Sequence, residues 1–172
     1  MAQGARTTLL AEALEAWEDA RQGVAAELSN LPARDVGFRP AVGARSVAEL
    51  VRHIIETGLM WCGELTDPKG DFTRKNFPAF IRQYAAPVRR ARTKAELLRL
   101  LKDTYKHGAR RIAEAGEIAM LQQIRRFDGA QGTRLTWMHH GVAHEEYHRA
   151  QLALYARLLG RTPALTKLIE AG

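Results

Sequence analysis

Four of the chain's six histidines fall within ten residues, and three of them, His140, His144 and His148, recur at every fourth position. On an α-helix that spacing places side chains on one face, about 6 Å apart along the axis. Trp137, Gln151 and Tyr155 lie close to the same stripe. Two imidazoles at i and i+4 can reach one metal ion, which is the usual chemical use of such a pair. His140 and His148 are about 12 Å apart, too far to share an ion easily. The spacing therefore predicts a ligating pair without choosing which. A third ligand must come from elsewhere. His53, beside the apolar face formed by Leu50 and Ile54, needs a partner there and is the leading candidate. His107, flanked by Lys106 and Arg110, reads as a surface residue. The competing reading is a set of histidines satisfied by hydrogen bonds or water.

Residues 144–148 also match H-E-x-x-H, the zinc metalloprotease signature in which the glutamate is the general base. The surroundings argue against it. No third histidine follows, Glu146 and Arg149 make the segment polar, and the sheet that would bind an extended peptide is missing. The single cysteine, Cys62, excludes a disulfide framework and a multi-cysteine zinc site. It reads as a buried structural residue rather than a nucleophile.

The elements that must position these groups read as helices. A first helix is predicted over residues 7–29, with Leu10, Leu14, Trp17, Val24 and Leu28 near helical spacing. Ser46 with Glu49, and Thr93 with Glu96, have the form of capping boxes opening two further helices. A shorter helix is expected over 78–90, Gly116 should end or bend the third long helix, and another helical piece is expected over 118–126. Residues 127–132 read as a turn. The histidine helix runs over 133–159 and stops at Gly160, leaving a short tail, 161–172. Strand signals are nearly absent. The expectation is all-α: a single-domain four-helix bundle, core about 7–160, with short extra helices between the second and fourth long ones.

At 172 residues, with 46% hydrophobic and 26% charged residues, the chain is long enough for a core without staples. Acidic residues interrupt the start, and no window approaches the ~18 apolar residues of a membrane span, so a soluble, cytoplasmic protein is expected. The net charge of +7 is unevenly spread: residues 1–67 carry −4, residues 68–113 carry +10 and residues 114–172 carry +1. The basic segment, from Arg74 to Arg111, is either a solvated helix face or a surface for DNA or another anionic ligand. No nucleic-acid-binding motif or stacking platform accompanies it.

The stretch HGVAHEEYHRAQ, residues 140–151, resembles the H-x-x-x-H-x-x-x-H-R-G-Q motif of the DinB/YfiT-like superfamily. SVAELVRH (46–53), RFDG (126–129) and LLGRTPAL (158–165) resemble other features of that family. Ala150 departs from its usual glycine, a small change in a helix. The resemblance implies an up-down-down-up bundle and a divalent metal (Zn, Ni or Fe) held by His53, His144 and His148, with His140 a neighbour of the site. Three protein ligands leave coordination positions open, the catalytic pattern. Gln151, Glu56 and Glu145 are candidates for the hydrogen bonds that orient the ligands. Related families use a low-molecular-weight thiol for transfer or isomerisation, or hydrolyse their substrates with a metal. The resemblance further implies a small-molecule substrate and a homodimer. The alternatives are a non-enzymatic binding protein using the basic segment, and a bundle with a vestigial metal that mainly mediates dimerisation.

Overall fold

Each long helix starts at a hydroxyl side chain that accepts a hydrogen bond from a backbone N–H of the first turn. The computed structural model describes residues 7–172. Thr8 caps α1 (Leu9–Asn30), Ser46 caps α2 (Val47–Thr66), Thr93 caps α4 (Lys94–Met120) and Thr133 caps α5 (Arg134–Leu158). Both capping boxes form: the Glu49 carboxylate accepts from Ser46 N–H at 2.8 Å and that of Glu96 from Thr93 N–H at 2.9 Å.

Side-chain contacts fix the helix directions. Lys94, at the start of α4, reaches the Ser29 and Leu31 carbonyls at the end of α1, so those helices are antiparallel. Arg52 meets Ala91 and Arg111 meets Thr66, so α2 and α4 run together. His53 faces His144 and His148 while Arg134 meets Leu65, so α2 and α5 oppose. Arg21 meets Glu145, and Glu27 meets Ala164 just beyond α5, so α1 and α5 are parallel. The order is up, down, down, up. The apolar faces close on one core that includes Trp17, Leu28, Leu50, Ile54, Leu97, Leu101, Ile112 and Leu152. Among the described residues no helix is long and apolar enough to cross a membrane.

The connections depart from expectation in four places. The short helix α3 spans Phe77–Tyr84 and stops before residue 90, because Pro87 has no N–H to bond back to the Gln83 carbonyl; Ala86–Arg90 is a 3-10 segment instead. Helix α4 is broken at Gly116 as expected, with a φ of 80° and ψ of 164° that suit glycine, but it resumes only to Met120. The expected helix over 118–126 is absent beyond that point. Gln123–Arg125 (β1) pairs antiparallel with Gln131–Thr133 (β2), a hairpin too short for alternation to reveal. The tail contains a helix, α6 (Ala164–Ala171), whose first backbone N–H groups are accepted by the buried Glu27 of α1 at 2.9 and 3.2 Å.

Glu64, fully buried near the end of α2, accepts from Tyr84 Oη at 2.6 Å and Asp71 N–H at 3.0 Å, and pairs with Arg74. Arg134 donates to the Leu65 and Asp67 carbonyls, both at 2.7 Å. These ties hold the loop after α2 against the bundle and set α3 against α2.

Candidate metal centre

His53 on α2 and His144 and His148 on α5 turn toward one another across the antiparallel helix pair. Nε2 of His144 is 3.2 Å from Nε2 of His53 and 3.0 Å from Nε2 of His148. One nitrogen of each lies within 4.8 Å of the others. His148 is buried, and His53 and His144 are half-buried. Two nitrogens on one ion at bond lengths of ~2.0–2.1 Å stand roughly 3 Å apart, so the observed separations suit a shared cation.

The proton positions point the same way. His148 Nδ1 lies 2.8 Å from Gln151 Oε1, which can only accept, so Nδ1 carries the proton and Nε2 is a lone pair. The single hydroxyl proton of Thr57 goes to the His53 carbonyl at 2.8 Å. Its oxygen lies 3.5 Å from His144 Nδ1. A cation held by both Nε2 atoms fits the 3.0 Å approach of His144 to His148. Burial, then the charge of Arg45 and the neighbouring imidazoles, push the His53 pKa down to about 3. Burial and His148 push that of His144 down to about 4. Burial also lowers that of His148. The cluster is thus neutral at pH 7, the state a metal requires.

The other expected site residues are placed as follows. Gln151 orients His148. His140 is exposed, its ring 4.8 Å from that of Trp137, and it stands beside the cluster without joining it. Trp137 lines an adjoining cavity. Tyr155 is buried and donates from Oη to the Arg45 carbonyl at 3.1 Å. Glu56 is half-buried on α2, its carboxyl raised by burial against the opposing charges of Arg89, Arg52 and Arg45, and it makes no hydrogen bond to a histidine. Glu145 is fully buried but is committed to α1, accepting from Arg21 and Trp17. His107 is exposed on α4. Cys62 is buried away from the cluster, its thiol pushed up to about 11 by burial. Of the basic segment, Arg74, Lys94 and Arg111 are tied to acidic, carbonyl or hydroxyl oxygens, while Arg82, Arg99, Lys102 and Lys106 face solvent.

Sequence reasoning missed Thr57, which lies one turn after His53 on the same helical face. It also missed Trp61, Phe77 and Phe127, which wall the adjoining cavity. Thr57 was readable from its spacing. Phe77 and Phe127 sit in connections whose positions depend on long-range ties.

A family profile described as the DinB superfamily matches residues 16–152. Among solved structures, a DinB-like protein (YjoA) from Bacillus subtilis superposes with a TM-score of 0.66 at 18% identity, over 88% of this chain and 93% of that one. A mutant of the mycothiol-dependent maleylpyruvate isomerase superposes with a TM-score of 0.67 at 13% identity, over 86% of this chain and 63% of that one. At these identities the likeness is one of fold. No match is found among curated proteins.

Proposed function

The chain belongs to the DinB superfamily, and from that premise we propose that it is a metal-dependent enzyme whose divalent cation is held by His53, His144 and His148. The observation that carries this reading is the convergence of three Nε2 atoms, that of His144 standing 3.0 Å from His148 and 3.2 Å from His53. Imidazole donors suit zinc, nickel and iron(II). When bound, the ion supplies Lewis acidity and lowers the pKa of a thiol or water that joins it. Gln151 holds the His148 ring and leaves its Nε2 free of a proton, and Thr57 stands beside the His144 ring.

Thiol-dependent transfer or isomerisation ranks ahead of hydrolysis. One solved structure of the same fold is a mycothiol-dependent isomerase. No carboxylate among the described residues is hydrogen-bonded to the histidines to serve as base for water: Glu145 is occupied by Arg21 and Trp17. The same commitment disfavours the protease reading of residues 144–148, since its general base would be Glu145. Arg45, whose charge bears on all three histidines, gives an anionic thiol a cation at the site.

Metal analysis tests the reading. Purified wild-type protein is expected to bind one ion per chain, and His53→Ala and His144→Ala each to bind at least about a hundredfold more weakly, a ligand mattering more than the groups that orient it. Variants that retain as much metal as wild type would overturn the site. A screen of low-molecular-weight thiols with small electrophiles is expected to show turnover that is lost on chelation and restored by metal.

A further inference from the structure

Between α2, α3 and α5, with His53 and His144 in its wall, lies a cavity of about 310 Å³. That volume is at the small end of the roughly 300–1,000 Å³ usual for ligand pockets. Met60, Trp61, Phe77, Phe127 and Trp137 supply most of the remaining wall. Among the described residues, no lysine, arginine, aspartate or glutamate lines it. Arg126 lies 5.3 Å from the centre of the Trp137 ring, but it is outside the lining and is paired with Asp128 at 2.6 Å. The wall's room depends on Gly141: a Cβ there would stand 2.7 Å from the Trp61 ring, so only glycine lets the indole lie flat against α5.

We propose that this cavity binds the body of a small, uncharged aromatic or apolar substrate and presents its reacting end to the three histidines. This rests on the reading of those histidines as the reacting centre. Aromatic walls favour a ring or alkyl group through apolar burial. A carboxylate or ammonium entering the cavity would be desolvated with no lysine, arginine or carboxylate among the described lining residues to pair with it. The selectivity is therefore against charge of either sign on the part of the substrate inside the cavity.

The test uses toluene, benzoate and benzylammonium, three probes that share a ring and differ in charge. They are titrated into the full-length, metal-free chain, because benzoate would otherwise ligate an ion. The readout is the indole N–H resonance of Trp61 and Trp137, the two lining tryptophans among the chain's three. Toluene is expected to shift both in a saturable way and to bind at least tenfold more tightly than either ion. Phe77→Asp and Phe127→Ala change partly exposed residues at the cavity wall, so the fold tolerates them. Each is expected to weaken toluene binding at least fivefold. Benzoate or benzylammonium binding as tightly as toluene, no saturable shift, or variants that bind toluene like wild type would overturn the proposal. Failure of the metal reading is seen separately, as absence of bound ion, and leaves this comparison intact.

Discussion

His144 and Glu145 are neighbours on α5, yet they serve two polar clusters built in opposite ways. Glu145 sits in a closed cluster. Its carboxylate accepts from Arg21 Nε at 2.8 Å, Arg21 Nη2 at 2.5 Å and Trp17 Nε1 at 2.9 Å. Arg21 Nη1 completes the set by donating to the Leu101 carbonyl and the Thr104 hydroxyl. Every charge has its opposite, and α1, α4 and α5 are joined. His144 sits in an open cluster, where three like groups turn toward one another at 3.0 and 3.2 Å with no carboxylate among them. A closed cluster stabilises a fold; an open one needs something from outside. The difference separates the part of α5 that ties the bundle together from the part that could hold a metal ion.

Substitutions can break this contrast, and the largest effect belongs to the closed cluster. Glu145→Ala leaves the Arg21 guanidinium buried and unpaired and is expected to destabilise the fold by about 3–5 kcal/mol, read as a lower midpoint in urea unfolding. The folded fraction should still bind one metal ion per chain. A Glu145→Ala protein that unfolds normally but loses its metal would show that the two clusters are one. The next effect belongs to the open cluster. Gln151→Ala frees the His148 ring and its tautomer and is expected to weaken metal binding roughly 10–100-fold, measured by competition with a chromophoric chelator. The unfolding midpoint of the metal-free form should barely change, since Gln151 is half-exposed. A Gln151→Ala variant that loses stability and keeps its metal affinity would reverse the assignment.

The four long helices were legible because their signals are local: a hydroxyl cap, a glutamate three residues on, then apolar spacing. The hairpin and α6 were not. Three-residue strands carry no readable period, and the cap of α6 is Glu27, 137 positions away from Ala164. The same division runs through the site. His144 and His148 stood out because four residues make about one helical turn. His53 needed its apolar neighbours and the family motif to be preferred over His107. Glu145 was expected to help orient the histidines, but successive residues on a helix point about 100° apart. That rotation carries its carboxylate to Arg21 on α1. Phe77 and Phe127 were invisible for a further reason: Phe77 comes to the cavity beyond the loop that Glu64 ties through Tyr84, Arg74 and Asp71, and Phe127 comes with the hairpin, whose Arg125 carbonyl accepts from Phe72 N–H at 3.0 Å.

The smallest expected effect sharpens the contrast through pH. Burial holds the folded His53 pKa near 3 and the folded His144 pKa near 4, against 6.5 for an unperturbed histidine. A histidine whose folded pKa is depressed gives the unfolded state the greater share of protons below 6.5. Stability in the metal-free protein is therefore full above that value and is lost as pH falls toward 4. The melting temperature of the chelated protein should drop by a few degrees between pH 7 and 5. His53→Gln and His144→Gln, which replace a titrating ring with a neutral amide, should each flatten that slope. The capping carboxylate of Glu49 follows a different window: its hydrogen bond from Arg39 holds it down to about 2, so its contribution survives until pH falls below 4.5. A slope between pH 7 and 5 that is unchanged in both glutamine variants would mean that these histidines bind protons equally in the folded and unfolded chains, and would overturn the burial of the cluster as its cause.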